Sequence, residues 1–285
     1  MTATLPADAH VHSEWSWDCG SDPASHGSMV RTCERALRIG LPAIVFTEHL
    51  DFEHDWRVED GDIGEHAQRY VDESGHVRLP EFDVEGYLTA IERCRHDFPD
   101  LRILTGVEFG QPHLRDAHAA ALLSSGVIDR VNGSLHMLPF DGADRTEPTT
   151  LYRHMPADDV MWSYLEEIPR MVAGSDSFAV FTHIDYAVRS WPVATAGPFD
   201  PRRFEDGFRA GMRAIAASER GLEMNTRRLW PWIPQWWAEE GGRAVTFGSD
   251  AHGPDMLAAH FPEATAMLEH FGFRPGARAE DFWIR

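Results

Sequence analysis

The sequence predicts an α/β fold in which seven parallel strands and their covering helices make a barrel of (β/α)7 type rather than an open sheet. Three observations carry that prediction. Seven short apolar segments recur along the 285 residues, helix-like stretches separate them, and metal-type polar residues stand at the C-terminal end of almost every segment.

The candidate strands are 7–13 (ADAHVHS), 43–49 (AIVFTEH), 102–109 (RILTGVEF), 130–137 (RVNGSLHM), 178–185 (FAVFTHID), 222–226 (LEMNT) and 244–250 (AVTFGSD). Helices are expected near 26–39, 83–97, 113–124, 157–173, 202–219 and 255–270. In the fifth of these Phe204, Phe208, Met212 and Ile215 recur at helical spacing, which gives it one apolar face. Residues 51–80 are long, polar and rich in Asp, Glu and Gly, and read as an insertion loop. No stretch resembles a linker, so the expectation is one domain over residues 1–285.

Composition excludes several classes. Forty-six acidic against 26 basic residues give a net charge of −20, opposite to what a nucleic-acid backbone or an anionic membrane surface attracts. No apolar run approaches a spanning helix, and the first residues lack the basic and apolar regions of a signal peptide. Three cysteines (Cys19, Cys33, Cys94) form no CxxC, which fits a reducing cytoplasm. All 26 basic residues are arginine. Without lysine there is no Walker A loop, no kinase of the usual pattern and no Schiff-base chemistry. Nothing in the sequence signals an oligomeric state.

The polar residues at the strand ends are His10, His12 and Asp18, then His49, Glu108, His136, His183, and finally Asp250 with His252. The C-terminal rim of an α/β barrel gathers its loops at one mouth, so these nine groups are expected to converge there. Each alone is a weak signal, since a single histidine at a strand end is more often a satisfied core residue. Together they point to a metal site. Nitrogen and oxygen donors without thiolate suit zinc, iron or manganese. Nine ligands exceed one ion's needs, and a shared carboxylate would serve two or three, a layout suited to phosphate-ester hydrolysis.

The segments DAHVHSEWSWD, FTEH, GVEFG, NGSLH, FTHID and FGSDAH resemble, in order and spacing, the motifs of the PHP (polymerase and histidinol phosphatase) superfamily over roughly residues 7–252. HxHSxxSxD and FTHIDYAVR are most similar to its monofunctional histidinol-phosphate phosphatases. The resemblance implies a distorted (β/α)7 barrel with three divalent transition-metal ions. His10, His12, Glu108 and Asp250 would hold the first. Glu108 would bridge to a second, held also by His136 and His183. Asp18, His49 and His252 would hold the third. It also implies Arg189 as the phosphate clamp, chemically apt because a guanidinium offers two parallel donors.

The implied activity is hydrolysis of a small phosphomonoester, L-histidinol phosphate above all, in histidine biosynthesis. Another small ester (sugar, nucleotide or cyclic diester) is the alternative, and a non-catalytic metal-binding scaffold the more distant one. Arg227 and Arg228 follow the EMNT strand directly, where those phosphatases tend to carry small residues. Selectivity is expected from Asp51, Glu53 and Asp55 and from the tryptophan segment 230–237, which could equally be core. Cys19 lacks any context for thiolate activation and reads as packing. His26, His66, His76 and His96 read as solvated.

Overall fold

The computed structural model describes residues 5–19 and 28–285. Seven parallel strands follow one another in space as in sequence: β1 (Asp8–Val11), β2 (Ala43–Leu50), β3 (Arg102–Gly110), β4 (Arg130–Ser134), then, beyond the hairpin strands β5 (Leu138–Pro139) and β6 (Arg145–Thr146), β7 (Val180–Phe181), β8 (Gly221–Asn225) and β9 (Ala244–Gly248). A short antiparallel β10 (Trp283–Ile284) joins the start of β9. The sheet curls until β1 meets the residues after β9. Asp250 N–H donates to His10 O and His12 N–H to Ala251 O, both at 2.9 Å. The barrel is thus bridged at the strands' C-terminal ends, while β10 flanks the opposite end of β9.

Helices connect the strands. α1 (Met29–Ile39) starts at Ser28, whose hydroxyl accepts from Arg31 N–H, and stops at Gly40, whose φ of 73° suits a residue without Cβ. α2 (Val84–Asp97) is capped by the Asp83 carboxylate on Gly86 N–H at 2.9 Å. α3 (Pro112–Ser124), α4 (Pro148–His154), α5 (Ala157–Gly174), the short α6 (Val193–Ala196), α7 (Glu205–Ala217), α8 (Trp232–Glu239) and α9 (Phe261–His270) complete the layer. Phe204, Phe208, Met212 and Ile215 are all buried, as their spacing predicts.

Several boundaries differ from the sequence reading. Segment 178–185 keeps only two strand residues, because His183 turns the chain with a φ of 22°. Segment 130–137 stops at Ser134, leaving His136 in the following loop. The helix expected from 255 begins at Phe261, since the buried Asp8 carboxylate captures Ala258 N–H at 2.9 Å. The first helix begins at Met29, and residues 26 and 27, with His26, lie outside the described residues. Most of the tryptophan segment is core: Trp232, Trp236 and Trp237 are buried in α8, and Phe208 packs on Trp232 at 4.6 Å, whereas Trp230 is half-buried and donates to Asp185.

Residues 51–83 leave the barrel between β2 and α2. Trp56, Val58 and Val77 bury themselves with Met137 in a small separate core. Backbone bonds of 2.8 Å, Arg57 N–H to Arg145 O and Arg145 N–H to Asp55 O, tie the excursion to β6. No helix among the described residues is long and apolar enough to cross a membrane.

Candidate metal centre

Register places the first pair. β2 and β3 run parallel without a break from Ala43↔Arg102 to Leu50↔Phe109, so His49 sits beside Glu108. The bridge between His10–His12 and Asp250–Ala251 brings the first and last motifs together. Gly248 makes room there, since a Cβ on it would lie 2.7 Å from His10 Cβ.

Glu108 occupies the middle. Its Oε2 lies 3.2 Å from His10 Nε2 and 3.4 Å from both His12 Nε2 and His49 Nδ1. Its Oε1 lies 2.7 Å from His183 Nε2 and 3.2 Å from His136 Nε2. Asp250 Oδ1 stands 3.6 Å from His12 Nε2 and 3.8 Å from His10 Nε2. On the outer side Asp18 Oδ2 reaches His252 Nε2 at 2.7 Å and His49 Nε2 at 3.4 Å. All nine predicted residues therefore meet. Eight of them fall into three compact donor groups: His12/Asp18/His49/His252, His10/His12/Asp250 and His10/Glu108/His183.

The donor chemistry fits metal ions. Glu223 Oε2 lies 2.7 Å from His10 Nδ1, and a carboxylate can only accept, so that nitrogen carries the proton. Ser16 donates to Glu48 Oε2 at 2.7 Å, leaving its oxygen to accept from His12 Nδ1 at 3.0 Å. In the neutral rings both Nε2 atoms are then bare lone pairs, 3.1 Å apart and facing two carboxylates. Among the described residues four acceptors converge with no donor between them, which is what a cation satisfies. The nitrogen and oxygen set without sulfur is that of zinc, iron or manganese.

The electrostatics agree. Burial would raise Glu108, yet the surrounding imidazoles, His10 foremost, hold it well below the usual carboxylate range. Asp18 is lowered against its burial by His252 and His49, and Asp250 by Arg189 and His10. Burial opposes charge on His10, His49 and His252, but carboxylates raise all three. His183 goes the other way, to about 3, through burial and the nearby Arg189 charge. His183 and Asp250 also hold positive φ values, 22° and 53°, an uncommon conformation for residues with a Cβ.

A cleft of about 200 Å3 opens onto this cluster, bordered by Trp17, Asp51, Glu147, Tyr186, Arg189 and Arg227 among others. Arg189 Nη2 lies 2.9 Å from Asp250 Oδ2, and Arg227 Nη1 reaches the same oxygen at 3.5 Å. Arg228 instead donates to the carbonyls of Val188 and Arg189, fixing that turn from behind. Of the acidic residues expected to select substrate, only Asp51 borders the cleft. Glu53 is buried on Gln111 and Asp55 pairs with Arg115, so both stabilise the excursion. Burial raises the Cys19 thiol, as do the Asp18 and Glu48 charges, so the site disfavours a thiolate. His76 is held by Asp144 at 3.1 Å, and His96 is exposed.

Sequence reading missed Glu223, Glu48 and Glu147. Glu223 and Glu48 interrupt apolar strands, a signal that was available, because a carboxylate buried in a strand needs a partner. Glu147, whose carboxyl burial pushes up from its ordinary value, follows a hairpin with no periodic pattern.

The family model described as "PHP domain" matches residues 8–227. The chain belongs to the PHP domain family. Relatives include "Histidinol-phosphatase" of Lactococcus lactis, 26% identical over 93% of this chain and 91% of that protein, and "Probable histidinol-phosphatase" of Clostridium acetobutylicum, 25% identical over 94% of each. Among solved structures, a Lactococcus lactis histidinol phosphate phosphatase complexed with zinc, L-histidinol and phosphate superposes with a TM-score of 0.71. It is 22% identical, over 98% of this chain and 99% of that one. This PHP chain thus shares that barrel over nearly its whole length.

Proposed function

We propose that this PHP-domain chain is a cytoplasmic metal-dependent phosphomonoesterase that releases phosphate from L-histidinol phosphate. The observation that carries the reading is Glu108, in contact with five imidazoles through its two oxygens, with two arginines opening onto the same cleft. The substrate follows from the relatives named histidinol-phosphatase, which match this chain almost end to end.

In this reading His10, His12, Glu108 and Asp250 would hold one ion, Glu108, His136 and His183 a second, and Asp18, His49 and His252 a third. Zinc, iron or manganese held there supplies Lewis acidity toward water and toward phosphoryl oxygens. The protein's part is to bind and orient. Arg189 offers a rigid fork of N–H donors to a phosphate dianion, and Arg227 a second positive charge beside it. Glu223 and Ser16 fix the His10 and His12 rings so that their Nε2 atoms face the cluster.

The test is phosphate release by metal-reconstituted protein from a panel of monoesters and diesters. L-histidinol phosphate should give the highest kcat/KM. Absence of release from every monoester, or preference for a diester, overturns the assignment.

A further inference from the structure

The metal cleft shares a wall with a second, larger cavity of about 770 Å3, set between residues 14–17 and the excursion 51–83. Trp17, His49 and Asp51 line both. His49 and Asp51 are engaged with the cluster, His49 through Asp18 and Glu108, Asp51 at 3.3 Å from His49 Nδ1. Trp17 stands among them as a flat apolar plate. Its Nε1–H donates to Asp51 Oδ2 at 2.9 Å, and its ring lies 5.5 Å from that of His49. Trp56 at 5.7 Å and Tyr70 at 6.4 Å meet it edge-on. One hydrogen bond and three aromatic neighbours therefore hold the indole in one orientation.

The two cavities differ in size and lining. Pockets for drug-sized ligands run from about 300 to 1,000 Å3, which the larger cavity matches and the 200 Å3 cleft does not. Trp15, Phe52, Tyr70 and Phe82 give the larger cavity a strongly aromatic lining. It suits a flat organic body, and among the described residues the indole of Trp17, with His49 and Asp51, borders both that space and the phosphate site.

We propose that Trp17 is the specificity-determining partition of the active site, confining the alcohol part of a phosphomonoester to the small cleft and denying bulky aryl esters the aromatic chamber behind it. The inference rests on the phosphomonoesterase reading above. Because the indole acts by bulk, shortening it joins the two spaces. Replacing it by another ring leaves the wall standing.

The experiment compares kcat/KM for 1-naphthyl phosphate and L-histidinol phosphate in wild type, Trp17→Ala, Trp17→Leu and Trp17→Phe, each with its metal content measured. The naphthyl-to-histidinol ratio should rise at least about tenfold in Trp17→Ala and by less in Trp17→Leu, and stay within about twofold in Trp17→Phe, which loses the N–H donor and part of the bulk but keeps an aromatic ring across the gap. A ratio within about twofold of wild type in Trp17→Ala overturns the partition. So does a Trp17→Phe ratio that moves as far as that of Trp17→Ala, because the bond to Asp51 would then be the cause. Wild type releasing no phosphate from either ester overturns the parent reading instead. Calorimetric binding of 1-naphthylphosphonate then decides the partition. Binding at least about tenfold tighter in Trp17→Ala supports it, and unchanged or undetectable binding overturns it.

Discussion

Glu223 Oε2 lies 2.7 Å from His10 Nδ1, and the two residues are 213 positions apart in the chain. The carboxylate fixes the imidazole tautomer and turns its bare Nε2 toward Glu108 and Asp250. Asn225 Nδ2 donates to the other Glu223 oxygen at 2.7 Å, so the carboxylate is itself oriented.

Glu223→Gln removes the charge and keeps the shape. Partners of this kind typically contribute about 10–100-fold to metal affinity. Zinc affinity by chelator competition should weaken by that factor, with activity partly restored by excess zinc. Unchanged affinity would mean that the His10 ring is fixed without Glu223.

Glu108→Gln should cost about a thousandfold in kcat, roughly 4 kcal/mol, because both carboxylate oxygens serve the imidazole cluster. Elemental analysis should show metal lost at the same time. His76→Ala, whose ring links Ser74 and Asp144 away from the cluster, should stay within about twofold of wild type. Near-normal turnover in Glu108→Gln would remove it from the centre of the site.

The chelated and loaded proteins should respond oppositely to pH. In chelated protein His10, His49 and His252 have pKa values raised above the ordinary 6.5. Their contribution to stability is complete below pH 6.5 and is lost as pH rises through the raised values. Glu108, Asp18 and Asp250 are lowered, so theirs is present above the ordinary carboxylate range and lost only in strong acid. Chelated protein should therefore melt highest in mildly acidic buffer and lower as pH climbs. Metal binding requires neutral imidazoles and releases protons, so the gain in Tm on loading should widen with rising pH. Melting curves with and without chelator across pH 5.5–9 check this, a range spanning about one unit below the ordinary histidine value to well above it. A gain independent of pH would contradict it.

Arg189→Ala should lower kcat/KM by about 2–4 kcal/mol, the loss of a charge-assisted donor pair in a confined site. Arg189→Lys should recover part, since an ammonium lacks the planar fork. Arg227→Ala should cost less, because its side chain is 42% exposed against 21% for Arg189. Steady-state kinetics on metal-loaded variants measure all three. A larger loss at Arg227 would transfer the clamp to it.

The sequence by itself determined which residues meet. Seven strands in one parallel alternation, each sending its C-terminal end to the same rim, suffice to bring nine donors to one mouth. It also marked the amphipathic face of α7. It did not show α8, because Trp232–Glu239 is apolar almost all round and carries Pro234, so no helical period appears. Nor did it show the brevity of β7, since an apolar run looks alike whether two residues pair or eight. Only the tertiary structure decided that Glu108 contacts five histidines, that Glu223 and Ser16 set two tautomers, that Arg189 and Arg227 share Asp250, and that Trp17 walls one cavity from another. Each of these depends on distances of a few ångströms between segments tens to hundreds of residues apart. Such distances are set by strand register, by the bridge from His10 and His12 to Asp250 and Ala251, and by how the 51–83 excursion packs. Local spacing along the chain encodes none of the three.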